Sequence, residues 1–455
     1  MRKLLICAAV AGGFAAPAQA DDQGIEGLRD PLPDSLTYKG VTIYGTIDVG
    51  YAYQTAGLPL GASFYPGLSW EANGTGLRPI STLVNNAASL SQVGVKFEEA
   101  LGMGFAAIGK AGTAFDPVAA ELADVCKSLV QAANGSKTAN GDGPLCGQAF
   151  NTEVYAGLSN RAYGTLTIGR HASLTNEGAE GYDPNRGSLA FSLIGYAGGA
   201  VNGIGGPETA FWDNSVKYTY QYGPVHASVL YSDGGDDTSL LGYGTGVNAG
   251  FTWKGLSIDA YYIKQNAAVT GDAGVAGSTN QLWYTIANDE GYSVMGRYAF
   301  DLGGGFKDEG PSGRLTAFAG YVYVDRGNPD KDQSAYQNMS TNGGYVLSNS
   351  TLLGSGKFTT DQILQTAWVG ASYETGPWAF TAAWYRENQN NYVVDTLDPA
   401  QTKGGDLDWI SGMIVYKFSK HFDVYGGVSW VDVTGGWAAP QHETTNFATG
   451  LRLKF

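Results

Sequence analysis

The sequence predicts an all-β fold, a sixteen-stranded antiparallel transmembrane β-barrel. Three observations predict it: sixteen stretches in which apolar and polar residues alternate, connections that alternate between short and long, and an aromatic carboxy-terminal stretch. The apolar or neutral face of that last stretch consists of Phe447, Thr449, Leu451, Leu453 and Phe455. A closed barrel requires its last strand to pair with its first, because an open sheet edge in lipid leaves backbone groups without hydrogen-bond partners.

The sixteen stretches share a period of two residues, which is the side-chain period of a β-strand. In one of them, Ile410, Ile414 and Phe418 lie on one face and Ser411 and Lys417 on the other. One face therefore suits lipid and the other suits water. The predicted strands are Val41–Tyr53, Ser89–Phe97, Met103–Ala114, Ala149–Leu158, Gly164–Arg170, Asn214–Tyr222, Val225–Ser232, Gly246–Trp253, Leu256–Gln265, Gly291–Asp301, Gly313–Asp325, Ile363–Glu374, Pro377–Asn388, Asp408–Phe418, Phe422–Val433 and Asn446–Phe455.

The connections between these stretches differ in length in a regular way. Short turns are predicted at 98–102, 159–163, 223–224, 254–255, 376 and 419–421, and long connections at 54–88, 115–148, 171–213, 266–290, 326–362 and 392–407. Such alternation is typical of strands that cross an outer membrane, with short periplasmic turns and long outer loops. A β-sandwich would not require it.

The first twenty residues have the pattern of a secretory signal peptide: a basic start, an apolar middle and the small residues Ala18 and Ala20 at the end. Residues 21–40 form a short acidic extension, and residues 41–455 form the barrel. Without Arg2 and Lys3, 25 basic residues face 42 acidic ones, a net charge of −17 that argues against nucleic acid as a partner. After residue 20, no apolar run reaches the roughly 18 residues of a transmembrane helix.

Two cysteines, Cys126 and Cys146, remain after the signal peptide. In an oxidising compartment two leftover cysteines usually pair, so we expect a disulfide that closes the second outer loop. The alternative is two free thiols.

The sequence carries no complete motif for an enzyme, a cofactor or a metal site. No nucleophile elbow occurs, and the stretch from His442 resembles a zinc-binding helix but has Asn446 where the second His belongs. The acidic run 233–237 lacks the spacing of a calcium loop. We therefore expect no catalytic residues, no metal site and no cofactor.

Several stretches together resemble the general diffusion porins of Gram-negative bacteria. They are VTIYGTIDVGYAYQ (41–54), SQVGVKFEEALGMGFAAIGKAGTAFDP (91–117), FNTEVYAGLSNRAYGTLTIGRHASL (150–174), DNSVKYTYQYGP (213–224) and the terminal GLRLKF. The resemblance implies a trimeric channel whose third outer loop folds inward. The sequence departs from the family at Gly112 and Thr152, where Glu and Arg are common, and this affects the expected pore charges.

The connection 171–213 lies where this family folds a loop into the pore. Its acidic candidates are Glu177, Glu180 and Asp183. The basic candidates on the facing strands are Lys96, Lys110, Lys217 and Arg297, on the parity opposite the apolar residues. Strict alternation places Arg170 on the lipid face, but the resemblance places it at the constriction, and we expect it to point inward.

These observations predict a passive, water-filled pore in the outer membrane for small hydrophilic solutes and ions, with outer-membrane lipid around it. A substrate-selective channel for sugars or anions, and a plugged barrel that serves as an adhesin or structural anchor, are the alternatives. By resemblance, the terminal strand with Phe447, Leu451, Leu453 and Phe455 is presented to the barrel assembly machinery.

Overall fold

The computed structural model describes residues 35–57, 78–85, 87–118, 120–122, 150, 152–194, 211–233, 243–272, 283–302, 313–328, 341–342, 345–346, 358–394, 404–435 and 442–455. The expected signal peptide, most of the 21–40 extension, and both Cys126 and Cys146 lie outside the described residues.

Sixteen antiparallel strands follow one another around one closed sheet, so the predicted fold class and strand number are confirmed. The strands are β1 (Val41–Gly57), β2 (Gln92–Gly102), β3 (Phe105–Asp116), β4 (Val154–Asn160), β5 (Gly164–Ala172), β6 (Phe211–Tyr222), β7 (Val225–Ser232), β8 (Gly244–Trp253), β9 (Leu256–Asp272), β10 (Trp283–Asp301), β11 (Arg314–Gly327), β12 (Gln362–Thr375), β13 (Trp378–Gln389), β14 (Gly405–Lys417), β15 (Phe422–Val433) and β16 (Glu443–Lys454). The helix α1 (Leu174–Tyr182) follows β5.

Some strands are longer than the alternating pattern predicts. Strands β9 and β10 stay paired as far as Asp272 and Trp283, beyond a register shift between Gln265 and Ala268. The apolar alternation ends near that shift, but backbone hydrogen bonding needs no apolar side chains and continues past it.

The barrel closes between its first and last strands. Strands β1 and β16 pair from Thr46–Lys454 to Gln54–Asn446. The final residue extends the ladder, because Gly45 N donates to Phe455 O (2.9 Å) and Phe455 N donates to Gly45 O (3.1 Å). A Cβ on Gly45 would lie 2.5 Å from Cζ of the Phe455 ring, so only glycine leaves room for the terminal aromatic ring.

Each strand presents one apolar face outward and one mixed face to the interior. In β14, Ile410 and Ile414 are exposed, whereas Ser411, Met413 and Val415 are buried. The exposed parity is the one predicted to contact lipid, and the buried parity faces the inside of the barrel. Among the described residues, no helix is long and apolar enough to cross a membrane.

The strand that lies beside β1 is broken into two pieces, Arg78–Asn85 and β2. The first half of β1, Val41–Thr46, pairs with β2, but its second half, Val49–Gly57, pairs with Arg78–Asn85. Residues 87–91 therefore leave the ladder between two segments that flank the same strand.

A buried apolar cluster lies inside the barrel rather than between two sheets. It joins residues after β5 to interior-facing side chains of distant strands, and its largest members are Leu174, Tyr182, Phe191, Trp212, Trp368, Tyr385, Trp409 and Tyr425. Residues 173–194, which follow β5, thus pack against the inner wall.

Deletion of Phe455 should prevent barrel closure, because it removes both hydrogen bonds to Gly45 and the ring that covers it. We expect most of the chain to remain periplasmic and to lack the heat-modifiable, compact form on gels. Phe418→Ala is the control, since Phe418 is an exposed aromatic residue at a turn and takes no part in closure. Normal amounts of compact, membrane-embedded protein after the deletion would contradict this role.

Candidate functional site: the narrowed lumen

The helix α1 has one face against the wall and one face open. Its first turn is capped by Ser173, whose Oγ accepts from Asn176 N (3.2 Å). A helix of this length is marginal alone, so its packing on the wall stabilises it. The buried residues are Leu174, Thr175, Gly178, Ala179 and Tyr182, whereas Glu177 and Glu180 share the exposed face.

The carboxyl end of α1 is fastened to strands across the barrel. Trp368 Nε1 donates to Tyr182 O (3.1 Å), and the Tyr182 hydroxyl hydrogen-bonds to Ser257 Oγ (2.7 Å) and to the Asp259 carboxylate. Arg297 Nη1 donates to Gly181 O (2.9 Å). A cation at the carboxyl end of a helix complements the helix dipole, so this arginine also stabilises α1 electrostatically.

The turn after α1 is held by a buried polar network. Tyr385 Oη donates to Asp183 Oδ1 (2.5 Å), and Gly187 N donates to Asp183 Oδ2 (2.7 Å). Asn185 Nδ2 contacts Phe191 O (2.8 Å), Tyr385 Oη (3.0 Å) and Ser411 Oγ (2.9 Å). These buried contacts fix the path of residues 183–191 across the interior.

The exposed face of α1, with Glu177 and Glu180, faces the lysines of strands β2, β3 and β6. Glu177 forms an ion pair with Lys217, and Lys110 pairs with the wall residue Glu153. Lys96 Nζ and Lys110 Nζ lie 5.0 and 5.7 Å from the ring centroid of Tyr44. Burial raises the pKa of Glu180, and among the neighbouring charges Glu153 and Glu177 raise it while Lys110 lowers it. Acidic and basic groups therefore face the same water-accessible space.

Burial raises the pKa of both Glu177 and Glu180 above the usual glutamate value. Water reaches the two carboxylates, since the Glu177 side chain is 41% exposed, but the barrel wall surrounds them and displaces bulk water. Lys217 opposes the effect on the pKa of Glu177. A carboxylate in such a place loses its charge at a higher pH than a free one.

Asp183 is not placed as expected, and Arg170 does not face lipid. Asp183 is 0% exposed, so it holds the turn and does not line the channel. Arg170 is also buried: its Nε donates to Thr152 O (2.8 Å), and its guanidinium lies 5.2 Å from the Phe211 ring. Gly169, at φ 147°, precedes a register shift that ends the strict alternation used to place Arg170.

Other interior-facing groups were not foreseen from the sequence. His171 Nδ1 and Nε2 lie 2.8 Å from Ser215 Oγ and Thr167 Oγ1, and its ring stacks on Tyr155 at 5.0 Å. His226 Nε2 lies 2.6 Å from Asp259 Oδ1. Alternation along β7 could have predicted that His226 points inward. It could not have predicted the contact with Asp259, because that residue lies on β9.

Arg186, at the turn after α1, has a positive φ of 55° and a side chain that is 72% exposed. Its Nη2 lies 3.3 Å from Glu374 Oε1, and its charge acts on Arg297 together with that of Arg314. Basic groups thus also reach the lumen beyond α1. In the part of the chain that the structure describes, no group of three His, Cys, Asp or Glu residues could hold a metal ion.

A sequence profile of the Gram-negative porins matches residues 7–436. The chain belongs to this family. It is 22% identical over 310 residues to an outer membrane porin protein of Bordetella pertussis, an alignment that covers 66% of this chain and 67% of the relative. The resemblance drawn from the sequence is confirmed.

Solved porin structures share the fold. An anion-selective porin from Comamonas acidovorans superposes with a TM-score of 0.58 at 16% identity, covering 91% of this porin and 99% of the other chain. The trimer form of OmpT from Vibrio cholerae gives a TM-score of 0.53 at 15% identity over 91% and 99% of the two chains. At such identities the structures support the fold alone.

This porin is therefore an outer-membrane channel for the diffusion of small solutes. The family and the fold are those of channels rather than enzymes. At sixteen strands the wall side chains no longer fill the interior, and the residues after β5 occupy part of the space that remains.

Replacing Gly427 with Ala should loosen the turn that follows α1. A Cβ at Gly427 would lie 2.6 Å from Cε1 of the buried Phe191 ring and 2.7 Å from Gly412 O, and such overpacking costs about 1–3 kcal/mol. We expect faster hydrogen exchange of amides in 185–194. Gly426→Ala is the matched control, because a Cβ there has no neighbour closer than 3.8 Å. Equal protection in both variants would contradict the packing role of Phe191.

Proposed function

We propose that the passage between the open face of α1 and the wall of β1–β6 is the constriction through which solutes diffuse. The carboxylates of Glu177 and Glu180 line it on the helix side. Lys96, Lys110 and Lys217 line it on the wall side. The observation that supports this assignment is the ion pair of Glu177 with Lys217, which joins helix and wall across the interior.

Such a pairing of acids and bases creates an electric field across the passage and not along it. Water in the passage is ordered by that field, and small polar solutes can replace this water while apolar solutes cannot. The channel would then favour small hydrated solutes without a binding site for any one of them. Arg297 contributes a further positive charge beyond the carboxyl end of α1.

A second candidate selectivity is a preference for anions. It is favoured by the lumen-facing Arg186, Arg297 and Arg314, since the first and the last act electrostatically on Arg297, and by the likeness to a porin described as anion-selective. Cation preference is favoured by the net charge of −17 that the chain has without Arg2 and Lys3, and by the acids of α1. The sign of the reversal potential in a salt gradient distinguishes the two preferences.

We further propose that three chains assemble side by side in the outer membrane. The support is the trimer form described for the similar OmpT and the apolar outward faces of the strands. Insertion by the barrel assembly machinery, recognition of the terminal strand that ends at Phe455, and a Cys126–Cys146 disulfide remain predictions. No catalytic set was found in the sequence, and we propose that the protein has no enzymatic activity.

Acidification should weaken cation permeation, because Glu177 and Glu180 lose their charges as the pH falls through their raised pKa values. A unit charge about 4 Å away contributes about 1 kcal/mol in water, so a several-fold fall in the cation-to-anion permeability ratio is expected. Reversal potentials in a KCl gradient, from neutral to acidic pH, measure this ratio.

Glu177→Gln combined with Glu180→Gln should shift the neutral-pH ratio toward anions and flatten its pH dependence. Glu98→Gln with Glu99→Gln is the charge-matched control, since both residues are exposed near the β2–β3 turn. A reversal potential that is unchanged by the α1 substitutions would show that α1 does not line the channel.

A further inference from the structure

Asp48 lies in the middle of β1, opposite the point where the strand beside β1 is broken. Its side chain is 0% exposed, although carboxylates are rarely buried without strong partners. Asp48 has the parity of Thr42 and Thr46 in β1, opposite the exposed Val41 and Ile43, so alternation predicts that it faces water. The structure gives it no access to the channel. The interruption at residues 87–91 provides its partners.

The carboxylate binds the backbone of the interrupted segment. Asp48 Oδ2 accepts from Ala88 N (3.0 Å), Ser89 N (2.7 Å) and Ser89 Oγ (3.3 Å). Asp48 N donates to Ser91 Oγ (2.9 Å), so the aspartate holds both ends of the turn. A segment that leaves a β-ladder must find other partners for its amides, and Asp48 supplies them.

The interrupted segment 87–91 also hydrogen-bonds to residues 188–190, in the turn that follows α1. Ala87 O accepts from Ala190 N (2.9 Å) and from Ser188 Oγ (2.8 Å). Ala87 and Ala190 are both fully buried, so these two hydrogen bonds are shielded from water. The position of the Ala87 carbonyl therefore sets the position of residues 188–190.

A second route runs from Asp48 to the same turn. Tyr425 Oη donates to Asp48 Oδ1 (2.6 Å), and the Tyr425 ring meets the buried Phe191 ring edge to face, with centroids 6.4 Å apart. The Asp48 carboxylate thus orients two groups that hold the turn. One is the Ala87 carbonyl, which accepts from residues 188 and 190, and the other is the Tyr425 ring, which packs against Phe191. Arg452 lies 5.6 Å from the Tyr425 ring and acts electrostatically on Asp48.

We infer that Asp48 is a positioning residue for the constriction, which it holds through residues 87–91 and through Tyr425. The inference rests on the proposed function, in which the segment 173–194 narrows the channel. Asp48 itself contacts no solute. It keeps the far end of that segment in place, so that α1 presents Glu177 and Glu180 at a fixed distance from the lysine wall.

The role requires hydrogen-bond acceptors at Asp48 rather than its charge. In Asp48→Asn, the amide oxygen can accept from Ala88 and Ser89, and the amide nitrogen can donate to the Tyr425 hydroxyl. In Asp48→Ala, those buried donors have no acceptor. Since an unsatisfied buried donor is costly, we expect the released state of the turn to be populated roughly tenfold more in Asp48→Ala.

Single-channel recordings in planar bilayers test this. Asp48→Ala should show roughly tenfold more frequent open-channel current fluctuations, whereas Asp48→Asn should resemble the wild type. Asp289→Ala is the control: Asp289 is another buried wall carboxylate, bound by Arg326 Nε (3.1 Å) of the neighbouring strand and without contact to Asp48 or its partners. Quiet Asp48→Ala channels, or equal fluctuations in Asp289→Ala, would overturn the inference.

A cross-link tests the route. Ala87→Cys with Ala190→Cys in the Asp48→Ala background should quieten the channel when oxidised, and reduction should restore the fluctuations. Wild-type channels given the same reductant control for other cysteines. A channel that stays noisy after cross-linking would show that Asp48 does not act through Ala87.

If Asp48→Ala does not assemble, Ser188→Ala removes the bond from Ser188 Oγ to Ala87 O, together with the bond that Phe191 N donates to the same Oγ, without altering a strand. It should raise the fluctuations more modestly, and a quiet Ser188→Ala channel would overturn the inference. The constriction itself is tested by reversal potential and this positioning role by current fluctuation, so failure of one is distinguishable from failure of the other.

Discussion

The structure depends on a closed ring of backbone hydrogen bonds. In lipid no water can replace a missing partner, so every strand must be paired on both sides and the first strand must meet the last. The bonds between Gly45 and Phe455 continue the β1–β16 ladder to the last residue. Glycine at position 45 leaves the room that the Phe455 ring needs, because a Cβ there would lie 2.5 Å from Cζ of that ring. The surrounding lipid requires apolar side chains on the outer face of each strand, whereas the inner face carries both polar and apolar ones.

The closed ring leaves an interior that its own side chains cannot fill, and the segment after β5 occupies part of it. Within this segment, residues 173–194, the regular element is the short helix α1. The position of the segment therefore depends on contacts with distant strands and residues: Tyr182 with Ser257, Asp183 with Tyr385, and Ala190 with Ala87. The side of α1 that packs on the wall is apolar or neutral, and the other side carries Glu177 and Glu180. One face of α1 thus holds the helix on the wall, and the other presents the two carboxylates to the channel.

Local alternation was sufficient to predict the barrel, because lipid imposes the same two-residue period on every strand. It also predicted the interior facing of Lys110, which pairs with Glu153, and of Lys217, which pairs with Glu177. It failed at Arg170, where the register shift at Gly169 interrupts the period. It could not give the burial of Asp183 or of Asp48, since Tyr385 and Tyr425 lie 202 and 377 residues away along the chain.

We propose that this porin holds a continuous water-filled passage, which residues 173–194 narrow without closing it. The most direct test is the single-channel conductance of the wild-type protein in a planar bilayer as the KCl concentration is raised. A passive aqueous passage predicts conductance that rises in proportion to salt activity. A conductance that saturates at low salt would indicate a binding site for the ion. The absence of conductance from inserted, folded protein would indicate a plugged barrel, and either result would contradict the account.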